Sequence, residues 1–211
     1  MRTETQSELW ADAIVHGIAV VAAVVGVAVL LRAAVAVGAG PVIAAAAVYG
    51  AGLLATMGVS AVYNTVRHPG WKEALRRYDH AAIFVMIAGS YTPFAVIGIG
   101  GAAGYGLLAA VWAVALVGVS LKLFMPRRFD RASLVLYLAL GWIGLPAVGL
   151  AIAAMPLSVL VLILVGGLIY TAGVVFHVWE ALPYHDAIWH AFVLAAAGCH
   201  FAAVYIVVST A

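Results

Sequence analysis

The chain has 211 residues, of which 67% are apolar and 9% charged, with a mean hydropathy of +1.17. Soluble globular domains are near half apolar and a quarter charged, so this composition excludes one and makes the bilayer the solvent. A net charge of +2 gives no case for nucleic-acid binding, and a lone cysteine, Cys199, excludes an intramolecular disulfide framework or a cysteine-rich metal site.

The polar N-terminal stretch MRTETQSELW lacks the cationic segment and cleavage site of a signal peptide. Seven apolar runs follow, each near the roughly 20 residues that cross a bilayer as a helix. The first covers 13–31 and ends at Arg32, and the second covers 41–63 before the basic stretch RHPGWKEALRR. The third covers 81–97 and is followed by the glycine turn GIGGAAG. The fourth covers 107–121, closed by KLFMPRRFDR. The fifth, sixth and seventh cover 134–153, 157–178 and 187–208. Met155-Pro156 and Leu182-Pro183 separate these last three, because proline ends helices. The expected fold is all-α: a single seven-transmembrane helix bundle over 1–211, with too few residues between spans for an extramembrane domain.

Cation placement predicts an orientation. The N-tail and the loops after spans 2, 4 and 6 share one side and hold Arg2, Arg67, Lys72, Arg76, Arg77, Lys122, Arg127, Arg128 and Arg131. The other side holds Arg32 alone. The positive-inside rule therefore places the N-terminus in the cytoplasm and the C-terminus outside, and Trp10, Trp71, Trp179 and Trp189 fall near the cytoplasmic interface. A retinal Schiff base needs a lysine within the seventh helix. The two lysines, Lys72 and Lys122, sit at span ends, so retinal is excluded.

The scarce ionisable residues gather in one layer at that side. Glu8, Asp12 and His16 are spaced i, i+4, i+8 on helix 1 and share a face. Ser60 and Asn64 end helix 2, Asp79 and His80 open helix 3, and His185, Asp186 and His190 open helix 7. Polar groups inside a bilayer are costly and point to function. Each also has a structural reading. Glu8 and Asp12 suit a helix N-terminus electrostatically, and Ser60 and Asn64 suit interhelical hydrogen bonding. Asp79 and Asp186 suit N-caps. His177 and His200 read as packed helix histidines, and His68 as a solvated loop residue. His190 lies one turn inside its helix, beyond capping reach, which favours function. Asp and His at i, i+4 give a metal two ligands from one helix, and a third from a second helix leaves a position open for water. Asp79 or Asp12 would then orient a ligand or act as general base.

The stretches SELWADAIVHG, SAVYNTVRHPG, RRYDHAAIFVMIAGSYTPF and HDAIWHAFVLAAAGCHF resemble the haemolysin III family, the bacterial branch of the progestin-and-adipoQ receptor superfamily, itself related to the alkaline ceramidases. The resemblance implies a seven-helix protein of the bacterial inner (plasma) membrane with a zinc site near the cytoplasmic face. In that family zinc is held by three histidines, one ending helix 2 and two on helix 7. The matching positions here are Asn64, Asp186 and His190, while Ser60 and Asp79 match the family's serine and aspartate. Asp12 stands where the family has asparagine, and Val15 where it has threonine.

Three arrangements stay open. A divalent metal, zinc foremost, is held by His190 and Asp186 with Asn64, water or Asp79; or His185, about 140° off the face of His190, substitutes through a distorted helix start; or the network holds no metal. In each, Glu8, Asp12 and His16 support the site from behind. The resemblance implies a ceramidase-like, metal-dependent lipid amide hydrolase in membrane lipid homeostasis, with Asp79 and Ser60 catalytic. The alternatives are a non-catalytic lipid-binding sensor or receptor with a degenerate zinc site, and a pore-forming cytolysin. The expected partners are membrane lipids, and the small residues suit a homo-oligomer as well as close packing within one chain.

Overall fold

A computed structural model describes residues 5–66, 68–125 and 130–211. Those residues form helices joined by short turns, without strands: α1 (Gln6–Val37), α2 (Gly40–Thr65), α3 (Pro69–Pro93), α4 (Gly101–Phe124), α5 (Asp130–Gly141), α6 (Val148–Ala154), α7 (Leu157–Val178) and α8 (His185–Ser209). α5 and α6 together make one crossing, so the described residues form 7 helices long and apolar enough to span a membrane. Arg2, Arg67, Arg127 and Arg128, four of the cations behind the expected orientation, lie outside the described residues.

α1 extends beyond the apolar run at both ends. Thr5 and Glu8 form a reciprocal capping box at its start, and Gly38, at φ 78°, closes it in the left-handed conformation that glycine adopts without a Cβ penalty. α3 corrects the expectation of a helix beginning near 81. It starts at Pro69, whose fixed φ suits a first helical position, and runs through good helix formers from Lys72 to Arg77. An i, i+4 pair, Glu73–Arg77 at 4.0 Å, lies along it. Asp79 is therefore inside α3 and not its N-cap, a place taken by His68. Beyond Pro93 the chain continues as a π-helical turn, Phe94–Ile99, before reversing at Gly100 and Gly101.

The fifth crossing is also not the continuous helix its composition suggests. α5 ends at Gly141, a 3-10 turn spans Leu145–Ala147, and α6 resumes at Val148. Gly141, Gly144 and Pro146 weaken the helix at this point. The Tyr91 hydroxyl, from α3, spans the break. It donates to the Gly141 carbonyl at 2.6 Å and accepts from the Gly144 N–H at 3.1 Å. Trp142 anchors the same segment to α7 by donating to Thr171 Oγ1 at 3.2 Å.

α1 packs between α2 and α8; α2 then packs on α3, α3 on α4, and α7 on α8. The main core contains Leu30, Tyr49, Val204 and Val208, and a smaller one contains Phe84, Ala88, Val111, Ala115 and Leu140. Gly118 lets α4 approach α3 closely, because a Cβ there would collide with the Phe84 ring. Ile14, Ile18, Val21 and Val25 leave α1 exposed along one side, the surface that lipid covers. α1 and α8 start at the same end and run in parallel, which brings their first turns together.

Candidate functional site

The first three turns of α1 and the first two of α8 supply the centre of the polar layer. Asp12 is its hub. The His190 Nδ1–H donates to Asp12 Oδ1 at 2.6 Å, and the two side chains are 15% and 13% exposed. His16, one turn above Asp12, donates from Nδ1 to the Asp12 backbone carbonyl at 2.9 Å and lies 3.4 Å from Oδ2 of the carboxylate. The His16 and His190 rings meet edge to face, with centroids 4.2 Å apart. The bland reading of Asp12, a charge placed to suit its own helix start, therefore gives way to a cross-helix role.

α2 and α3 close the layer. Ser60 Oγ is 3.2 Å from His16 Nε2, and Asn64 Nδ2 is 3.3 Å from the same nitrogen. Asn64 also donates to the Ser60 carbonyl at 3.0 Å and to its hydroxyl at 3.4 Å. Asp79 faces Ser60 and both imidazoles electrostatically from α3. The amide N–H is a donor, so His16 Nε2 accepts and its Nδ1 carries the proton. The ring is thus held between an acceptor on one side and donors on the other.

Asp12, His16 and His190 lie close enough to hold a metal ion, their ligand atoms all within 4.8 Å of one another. By residue type the set fits, two imidazoles and one carboxylate leaving a fourth position open as in hydrolytic zinc sites, with the metal taking ring lone pairs in place of hydrogen bonds given above. Of the ligands expected from the resemblance, His190 belongs to this group, Asn64 touches it through His16, and Asp186 stands outside it. Asp186 lies in the first turn of α8, 3.2 Å from His185 Nδ1 but without hydrogen-bond geometry, and does not cap the helix. Asp12 and His16, expected behind the ligands, take places among the candidate ligand atoms. Their i, i+4 spacing matched that of Asp186 and His190 and was the available signal.

Glu8 is 4% exposed. It accepts the Thr5 N–H and hydroxyl within α1, and also the backbone N–H of Tyr184 at 2.8 Å. Nothing in the local sequence around Tyr184 points to this contact. Elsewhere, His200 packs against Tyr170 and His177 against Trp189, while His68 is exposed.

Residues 6–201 match the family model described as haemolysin-III related. The chain belongs to the haemolysin III family. It is 35% identical over 197 residues to the hemolysin-3 homolog of Bacillus subtilis (strain 168), covering 93% of this chain and 92% of that protein. Against hemolysin-3 of Bacillus cereus the identity is 34% over 199 residues, covering 94% and 91%. The human monocyte to macrophage differentiation factor is 30% identical over 205 residues, covering 92% of this chain and 82% of its own. These matches bear out the family and its place in the progestin-and-adipoQ receptor superfamily, and with the seven spans they identify an integral multi-pass membrane protein. No solved structure matches the chain.

Proposed function

We propose that this haemolysin III-family protein is a metal-assisted hydrolase of lipid amides, working at the cytoplasmic leaflet of the bacterial inner membrane. One observation carries the reading: two imidazoles and a carboxylate from α1 and α8 converge beside a serine, an amide and a second carboxylate. The excess of cations on the N-terminal side supports the cytoplasmic placement. Asp12, His16 and His190 would hold the metal, zinc by donor chemistry, which supplies an acidified water and a Lewis acid for a carbonyl. Ser60, between His16 and Asp79, donates a hydrogen bond to the substrate carbonyl. Asp79 takes up and returns the proton that moves from water to the leaving amine. Asn64 keeps the His16 ring turned toward Asp12. The surrounding spans keep bulk water away and let a lipid enter from the side.

The test is elemental analysis of the full chain in nanodiscs, paired with turnover of an N-acyl lipid. Stoichiometric metal and amide cleavage, both lost in Asp12→Ala and His190→Ala, are expected. Protein that holds no metal and cleaves no lipid with zinc supplied refutes the reading. A lipid-binding sensor without chemistry is the second reading. Asn64 and Asp186, where the family resemblance places imidazoles, favour it. It predicts lipid binding that His190→Ala alters, with no turnover to abolish.

A further inference from the structure

We propose that Glu8 is a positioning residue whose carboxylate clasps the starts of α1 and α8 together and so sets the His190–Asp12 contact. As a claim about the metal site it rests on the function proposed above; as a claim about that contact it does not. Glu8 is one turn before Asp12 on α1, and Tyr184 is six residues before His190 at the start of α8. The two oxygens are divided between the helices. Oε2 accepts the Thr5 N–H at 2.7 Å and the Thr5 hydroxyl at 2.8 Å, and Oε1 accepts the Tyr184 N–H at 2.8 Å. α8 has no side-chain cap of its own, so this carboxylate from α1 does the work of one.

Tyr184 shows how tightly the junction is specified. Among the described residues it alone combines a side chain with positive φ, at 61°. A non-glycine residue holds that conformation only where its surroundings impose it. Here they do so through Oε1 of Glu8 and through Ser7, whose Oγ lies 3.3 Å from the Tyr184 hydroxyl. Two parallel rods tied at Glu8–Tyr184 meet again at Asp12–His190, about two turns further along α8. The first tie therefore fixes the relative height of the rods at the second. A slip of one residue moves α8 by about 1.5 Å along its axis. Across this lateral contact, that displacement lengthens the 2.6 Å separation of His190 Nδ1 and Asp12 Oδ1 to about 3.0 Å and tilts it off line, so the short bond is lost unless the side chains follow.

The experiment compares wild type, Glu8→Ala, Glu8→Asp and Thr5→Ala as full chains in nanodiscs, each checked for helix content. The first readout is the nitrogen-bound His190 Nδ1 proton by solid-state NMR, whose downfield position reports the short bond to Asp12. It needs no metal. The second is affinity for Co²⁺, followed by its visible spectrum. Wild type and Thr5→Ala, which loses the α1 cap and keeps the Tyr184 bond, are expected to share the His190 resonance and to bind Co²⁺ within about twofold of each other. Glu8→Ala is expected to lose that resonance and to bind Co²⁺ about tenfold more weakly, the low end for groups that orient ligands. Glu8→Asp, with its charge kept and its reach shortened, is expected to do the same and decides the matter if the alanine variant does not fold. A folded Glu8 variant with the wild-type His190 resonance overturns the proposal. If wild type binds no Co²⁺, the metal reading fails and the NMR comparison alone decides the clasp.

Discussion

Replacing Tyr91 by Phe removes one oxygen from the break in the fifth crossing and nothing else. That oxygen makes two bonds: it donates to the Gly141 carbonyl at 2.6 Å and accepts from the Gly144 N–H at 3.1 Å. Both partners are backbone groups that the α5–α6 break has released from helical pairing, and both lie at membrane depth, where no bulk water can replace the hydroxyl. A polar group left unpaired in this way costs about 1–3 kcal/mol, whereas measured hydrogen bonds between membrane helices average nearer 0.6 kcal/mol. Two bonds to groups with no other partner place the loss between those limits, at about 2 kcal/mol, or roughly 30-fold in the unfolding constant. The assay is reversible unfolding in mixed micelles, read from helix content, alongside amide exchange at Gly144. Tyr91→Phe is expected to unfold earlier and to exchange Gly144 faster, with α1 and α8 unaffected. A loss below about 0.5 kcal/mol, with Gly144 exchange unchanged, would refute the argument that this hydroxyl satisfies the break.

The remaining predictions concern the site and the packing around it. Asp12→Ala leaves His190 Nδ1 without its partner, while His16 Nδ1 keeps the backbone carbonyl of residue 12, and is expected to lower stability by about 2 kcal/mol in the same unfolding assay. Asp186→Ala, away from that group, is expected to change stability by less than about 0.5 kcal/mol and to retain any zinc that wild type holds, by elemental analysis. Asn64→His places an imidazole beside His16 Nε2 and is expected to tighten zinc binding in a competition titration, since it adds a nitrogen ligand to an open site. Gly118→Ala drives a Cβ into the fully buried Phe84 ring, and about 1–3 kcal/mol of destabilisation is expected from overpacking.

The seven crossings were readable because a bilayer demands long apolar runs, and that demand leaves its mark residue by residue. Their ends were less so. α3 reaches back to Pro69 through polar turns that a hydropathy pattern counts as loop, although Lys72, Glu73, Arg76 and Arg77 are good helix formers. The interruption at Gly141–Ala147 is signalled by two glycines and a proline. What makes it tolerable is Tyr91, a residue 50 positions away in another helix, and no local pattern carries that information. The same limit applies to Tyr184, whose left-handed conformation depends on Glu8, 176 positions earlier.

The site shows the limit most clearly. Spacing alone made Asp12/His16 and Asp186/His190 equivalent, two carboxylate–imidazole pairs on two helices at one depth. Only the parallel contact of α1 with α8 breaks the tie, by joining Asp12 to His190 and leaving Asp186 beside His185. The residues at positions 12 and 64 then acquire a common logic. A carboxylate at position 12 accepts from His190 Nδ1 and draws the Nδ1 side of His16, and an amide at position 64 donates to the opposite nitrogen of His16. The amide on α2 and the acid on α1 are thus two halves of one arrangement. It gathers the remaining imidazoles on α1 and α8, with Asp12 between them.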